Sequence, residues 1–125
     1  KKRIPCYPFL RFYVHWERAD LYTRINMRVD QMISEGLESE VTALRDSKYQ
    51  TVQNTVGYKE WEMFFNGTES KAAVIEKIKQ NSRNYAKRQL TWMNQYEDLT
   101  ALNPYSKHSL LNQLLTFVNT SNRNR

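Results

Sequence analysis

The chain has 125 residues, a formal net charge of +6 and a single cysteine, Cys6. This length suffices for one domain with its own core or for part of a larger one. One cysteine excludes an internal disulfide and a cysteine-based zinc site, and it suits a reducing compartment. No apolar run approaches the roughly 18 residues of a membrane-spanning helix. We therefore expect no membrane partner and a cytoplasmic protein.

The first predicted element is a strand at residues 9–16, because apolar and polar residues alternate there. The chain carries no initiator Met and starts with Lys1. We therefore expect it to be the C-terminal part of a longer protein. The first strand would then pair with strands outside the chain, and the chain on its own would tend to self-associate through that open edge.

Two helices are predicted next, at about 18–35 and 37–46, with Gly36 ending the first. Arg24 and Arg28 lie four residues apart on the first helix. In one reading they form surface ion pairs, Arg24 with Asp20 and Arg28 with Asp30 or Glu35, each worth about 0–1 kcal/mol. A guanidinium clamp for phosphate is the other, and the spacing alone favours the ion pairs.

Residues 45–53 are polar and without a period, which indicates a loop before a helix at 58–66. Gly57 stands at the entry to this helix, where glycine serves a turn or a close approach to a ligand, and the turn is the simpler reading. Thr68 is positioned to cap the following helix at 69–95.

The predicted helix 69–95 has an apolar stripe with helical spacing, on which we expect Tyr85 and Trp92 to be core residues. Its other faces are basic, and no carboxylate occurs between Glu76 and Glu97. Because like charges at this spacing cost about 0.2–0.5 kcal/mol per pair, we expect the cations to be kept for an external anion, with a solvated basic face as the alternative. The cations are Lys77, Lys79, Arg83, Lys87 and Arg88.

A short strand is predicted at residues 99–102, and Pro104 breaks it. Residues 105–125 then form a separate C-terminal segment, with an amphipathic helix to about Val118 and a frayed end at 119–125. The expected fold class is a mostly α-helical chain with one or two short strands.

Four stretches, in this order and spacing, resemble the tRNA dimethylallyltransferases: residues 21–32, 36–41, 56–60 and 85–92. The resemblance covers roughly residues 9–103, and it implies the C-terminal part of a P-loop-type α/β enzyme. Such enzymes transfer a dimethylallyl group to N6 of the adenosine next to the anticodon, at position 37. The chain contains no P-loop pattern, so the P-loop, the general base and most of the Mg²⁺ site would lie in a missing N-terminal part. We expect no catalytic residue and no metal ligand in this chain.

The resemblance also implies site residues. Arg24 and Arg28 match paired arginines expected to contact dimethylallyl diphosphate. Contacts with the tRNA anticodon stem-loop are expected from a turn and from the basic helix, at Thr55, Gly57, Tyr58, Lys59, Lys79, Arg83, Lys87, Arg88 and Gln89. The parent enzyme is expected to be a monomer. A stand-alone basic helical module that binds nucleic acid without catalysis is the alternative, although no RRM, KH or zinc-finger pattern is present.

Overall fold

The computed structural model describes residues 11–46 and 48–123. In these residues the chain is mostly helical with two short strands, which confirms the expected fold class. The elements in chain order are β1 (Arg11–Val14), α1 (Arg18–Ser34), α2 (Leu37–Leu44), α3 (Gln50–Asn54), a 3-10 helix (Lys59–Trp61), α4 (Glu62–Phe65), α5 (Lys71–Met93), β2 (Leu99–Leu102) and α6 (Lys107–Arg123).

The described chain divides into two compact units. One unit is Arg18–Leu90, and the other consists of the described residues on either side of it.

The core of the Arg18–Leu90 unit forms where α1, α2, the 3-10 helix and α5 bring apolar side chains together. Its buried members are Val29, Leu37, Val41, Trp61, Val74 and Ile78. A glycine marks the boundary between α1 and α2. Gly36 has φ 104°, a left-handed conformation that suits glycine, and it ends α1 and begins α2 as predicted.

The second unit is built on a parallel pairing of β1 with β2, in which Arg11 lies opposite Leu99 and Val14 opposite Leu102. Helix α6 packs in the same unit through Phe117, whose ring centroid lies 5.4 Å from that of Phe12 in an edge-to-face arrangement. The Ser106 hydroxyl accepts a hydrogen bond from the Ser109 backbone N–H (3.2 Å) and so caps α6.

Several predicted bounds need correction. The segment predicted as a loop at 45–53 contains the start of α3, and the helix predicted at 58–66 is divided into a 3-10 turn and one short α-helical turn. Helix α6 continues to Arg123, beyond the predicted frayed end at residue 119. Residues 9 and 10 of the predicted first strand lie outside the described residues. Its last two predicted residues, 15 and 16, are not part of β1.

The predicted cap of α5 was also wrong. The Thr68 hydroxyl donates to the Met63 carbonyl oxygen (2.9 Å) and belongs to the preceding turn. The Ser70 hydroxyl accepts from the Ala73 backbone N–H (3.2 Å), so Ser70 is the residue that caps α5.

Candidate nucleic-acid interface

The apolar face of α5 is buried only along its first half. Val74 and Ile78 are buried in the core, whereas Tyr85 is 53% exposed and Trp92 is 57% exposed. The expectation that Tyr85 and Trp92 are core residues was therefore wrong. Periodicity identified the apolar face, but the described helices of the Arg18–Leu90 unit cover only the first turns of it.

The cations of α5 divide into two groups on different sides of the helix. Lys79, Arg83 and Lys87 follow one another at steps of four, and Lys77 and Arg88 lie on another side. The side chains of the first group become more exposed along α5. Lys79 is 14% exposed, Arg83 is half-buried and Lys87 is exposed.

Lys79 is held inside the protein by two carboxylates. Its Nζ lies 2.7 Å from an oxygen of Asp30 on α1 and 3.4 Å from one of Glu76, three residues earlier on α5. The hydrogen bond to Asp30 is the main cause of a raised pKa for Lys79. The sequence offers Lys79 no acid four residues away on α5, but the fold supplies Asp30 from α1 as a partner.

Arg83 also contacts α1. Its guanidinium donates a hydrogen bond to the side-chain oxygen of Asn26 (2.7 Å). Lys79 and Arg83 therefore join α5 to α1, and Lys87, Arg88 and Gln89 are the exposed members of the predicted set on this helix. The Arg88 guanidinium carbon lies 5.8 Å from the centroid of the Tyr85 ring, within cation–π range.

The turn at residues 55–59 is closed by its own backbone. The Thr55 carbonyl oxygen accepts from the N–H groups of Tyr58 (3.0 Å) and Lys59 (3.1 Å). Gly57 at its centre has φ 96°, a conformation that L side chains rarely adopt, so a turn requirement explains this glycine.

The residues of this turn have different surroundings. The Tyr58 hydroxyl donates to the Glu40 carboxylate, and this hydrogen bond is the largest cause of a raised pKa for Tyr58. Lys59 is exposed and lines a cavity of about 240 Å³ together with Tyr58, Arg45 and Glu62. Lys59 is therefore the solvent-exposed cation of this turn.

Two residues outside the predicted tRNA-contacting set belong to this area. Glu60 is 6% exposed and joins the turn to α5 by hydrogen bonds on both of its carboxylate oxygens. Lys77 is exposed on the same helix as Arg88. A glutamate directly after a predicted turn cation gives no signal of its own in a sequence, since its partners are set by the fold.

Arg24 and Arg28 are both exposed on α1, about 6 Å apart along the helix axis. The acids expected to pair with Arg28 are engaged elsewhere. Asp30 binds Lys79, and the Glu35 carboxylate accepts from the Gln31 amide (2.7 Å). Arg28 makes no hydrogen bond or ion pair with the residues that the structure describes, which leaves its guanidinium available to a ligand.

No group of three or more His, Cys, Asp or Glu residues that could hold a metal ion occurs in the described part of the chain. Among the described helices, none has the length and apolar character needed to cross a bilayer.

The fold and this surface define a helical protein with a cationic helix face and one exposed lysine on a nearby turn, and clustered cations suit polyanionic ligands. Residues 1–96 match the family model described as IPP transferase. The chain belongs to this family.

Curated relatives and solved structures agree with the match. The chain is 40% identical to tRNA dimethylallyltransferase 1 of Bacteroides thetaiotaomicron over 91% of its own length and 37% of that protein. It is 54% identical to tRNA dimethylallyltransferase of Lactiplantibacillus plantarum over 61% of its length and 25% of that protein. The chain thus spans less than two fifths of the length of these relatives.

The fold is similar to that of the full-length tRNA isopentenylpyrophosphate transferase of Bacillus halodurans, with a TM-score of 0.80 and 35% identity. The tRNA delta(2)-isopentenylpyrophosphate transferase of Staphylococcus epidermidis gives a TM-score of 0.79 and 38% identity. Each comparison covers 89% of this chain and 38% of the other chain.

Proposed function

We propose that this chain is the C-terminal, substrate-contacting part of a tRNA dimethylallyltransferase. The family match over residues 1–96 is the observation that carries this proposal. In the proposed reaction the bond between C1 of the dimethylallyl group and the diphosphate oxygen breaks. A bond from C1 to N6 of the adenosine at position 37 forms, N6 loses a proton, and diphosphate leaves. The P-loop and the general base are proposed to lie outside this chain.

The role of this chain in the proposal is to hold the tRNA anticodon stem-loop. Its contacts are the turn residues Thr55, Gly57, Tyr58 and Lys59 and the exposed helix residues Lys87, Arg88 and Gln89. Contacts of cations with phosphates position an RNA without reading its sequence. Lys79 and Arg83, which were expected to touch the tRNA, are proposed instead to fix α5 beside α1, because their side chains bond to Asp30 and Asn26.

We expect Lys87→Gln with Arg88→Gln, in the full-length gene product, to weaken binding of an anticodon stem-loop RNA. The slope of log affinity against log salt should become shallower by about 0.7–0.9 for each lost phosphate contact. A salt titration of a fluorescently labelled stem-loop measures both quantities. Lys107→Gln, which removes one positive charge from α6, is the control and should keep the wild-type slope. An unchanged slope in the double variant would remove α5 from the interface.

The second part of the proposal is that Arg24 and Arg28 bind the diphosphate of dimethylallyl diphosphate. Guanidinium groups bind phosphate oxygens in a bidentate manner, and both side chains are exposed on one side of α1. The relatives are named dimethylallyltransferases, and this supports a prenyl diphosphate as the proposed ligand of the arginine pair.

Arg24→Ala and Arg28→Ala should each lower kcat/KM for dimethylallyl diphosphate by about 10- to 100-fold, the range expected for a lost charged hydrogen bond. Affinity for the stem-loop RNA should change much less. Arg18→Ala, an exposed arginine at the start of the same helix, is the matched control. Wild-type prenyl kinetics in both variants would remove these arginines from the proposed diphosphate site.

A further inference from the structure

Glu60 is a buried carboxylate with two neutral donors. Its Oε2 accepts from the Gly57 backbone N–H (2.8 Å), and its Oε1 accepts from the Asn81 side-chain amide (2.6 Å). Glu60 forms no ion pair with the residues that the structure describes. A buried carboxylate is costly unless it is hydrogen-bonded, so this arrangement needs both donors.

The two bonds join different elements. Gly57 is the centre of the 55–59 turn, whereas Asn81 lies in the middle of α5. One side chain therefore sets where the turn, and with it Lys59, lies relative to α5.

Asn81 also identifies which side of α5 the turn meets. Arg88 follows Asn81 by seven residues and Lys77 precedes it by four, so all three lie on one side of the helix. Arg88 is about 10 Å from Asn81 along the axis, at 1.5 Å per residue. The turn is thus tied to the side of α5 that carries Lys77 and Arg88, away from the side that contacts α1.

We propose that Glu60 is a positioning residue for RNA binding, which holds Lys59 at a fixed distance from Lys77 and Arg88 so that the three cations engage one RNA backbone. This inference rests on the proposed function. It adds Lys77 to the proposed RNA-contacting residues and ties the turn to the side of α5 that carries Lys77, Asn81 and Arg88. Glu60 acts through the turn and does not touch the RNA.

The test measures stem-loop RNA affinity and thermal unfolding for variants of the full-length gene product. Glu60→Ala should weaken binding roughly fivefold, because the turn loses its tie to α5. Glu60→Gln should stay within about twofold of wild type. Its amide oxygen accepts from the Gly57 N–H, while the Asn81 amide turns over to accept from the new NH₂ group.

A double-mutant cycle separates positioning from general destabilisation. Lys59→Ala alone should weaken binding, but in the Glu60→Ala background it should add almost nothing, since the displaced turn no longer presents Lys59. Val41→Ala removes core volume on α2 and serves as a control that lowers Tm while keeping RNA affinity.

The outcomes distinguish the two proposals. If Lys59→Ala weakens binding and its effect adds fully to that of Glu60→Ala, the positioning role is overturned and the RNA surface stands. The positioning role also fails if Glu60→Gln binds as weakly as Glu60→Ala, or if Val41→Ala weakens binding as much at an equal loss of Tm. If neither Lys59→Ala nor the Lys87 and Arg88 variants change RNA affinity, the RNA surface itself is wrong.

Discussion

The indole of Trp61 combines complete burial with an unused polar group. Its side chain is 0% exposed, and Nε1 has no hydrogen-bond partner among the described residues. The rings of Phe64 and Phe65 lie 5.6 Å and 6.4 Å from it, centroid to centroid. Trp61 therefore stabilises the core through its apolar area at the cost of one desolvated N–H.

We expect Trp61→Phe to change the free energy of unfolding by less than about 1 kcal/mol. The smaller ring loses transfer energy and leaves a cavity, each on the order of 1 kcal/mol. Removing an unsatisfied donor returns about 1–3 kcal/mol, so the two effects nearly cancel. Trp61→Ala, which leaves a much larger cavity, should cost about 3–5 kcal/mol. Urea unfolding of both variants checks this, and an equal loss in the two would show that the N–H is satisfied after all.

At the scale of elements, the contact between α1 and α5 depends on polar pairs as well as on the apolar core. Asp30 and Asn26 on α1 bond to Lys79 and Arg83 on α5. Asn26 and Asp30 are four residues apart on α1, as are Lys79 and Arg83 on α5. The same side of each helix therefore contacts the other helix at two successive turns.

Asp30→Asn should destabilise the protein by about 1 kcal/mol, near the upper end for an exposed ion pair, because Lys79 is held mostly out of solvent. Glu76→Gln removes the other carboxylate near Lys79 and should cost only about 0.3 kcal/mol, as expected for a pair within one helix. Urea midpoints at low and high salt distinguish the two variants. If Glu76→Gln proves the more costly change, the pair across the helices contributes little.

The sequence predicted those features that depend on neighbours along the chain. The end of α1 at Gly36 follows from the conformational freedom of one residue, and the strand at Leu99–Leu102 has the predicted bounds. The partner of Lys79 could not be predicted in this way, because Asp30 lies 49 residues earlier and on another helix. The hydrogen bond from Asn81 to Glu60 was not predicted for the same reason, because Asn81 lies on another element.

The prediction that Tyr85 is a core residue was wrong for a different reason. Helical period identifies the apolar side of α5 correctly, but it carries no information about how far along the helix the packing partners extend. The apolar stripe of α5 is longer than the part of it that the other helices bury. Only the three-dimensional arrangement of the helices shows where that burial ends.

At the scale of the whole molecule, the chain has two compact units with separate apolar contacts. In the unit built on β1 and β2, the edge-to-face contact of Phe12 with Phe117 attaches α6. The Tyr105 hydroxyl adds a second tie by accepting from the Glu17 backbone N–H (3.1 Å).

Phe117→Ala should therefore destabilise α6 locally, by about 1–2 kcal/mol, because Phe117 is partly exposed and loses less than a fully buried ring. Amide hydrogen exchange should accelerate in α6 and stay unchanged in α2, which belongs to the other unit. Leu115→Ala, an exposed apolar residue on the same helix, is the control and should have little effect. Faster exchange in both helices would mean that the units open together.

The placement of the tryptophans gives each unit its own optical signal. Trp61 is fully buried in the Arg18–Leu90 unit. In the other unit Trp92 is 57% exposed, and the Trp16 ring makes an edge-to-face contact with Tyr105 at a centroid distance of 5.3 Å. A soluble quencher such as acrylamide reaches the open indole first, and the enclosed one becomes accessible only when its own unit unfolds. Intrinsic fluorescence can thus follow the loss of each half of the chain without any label.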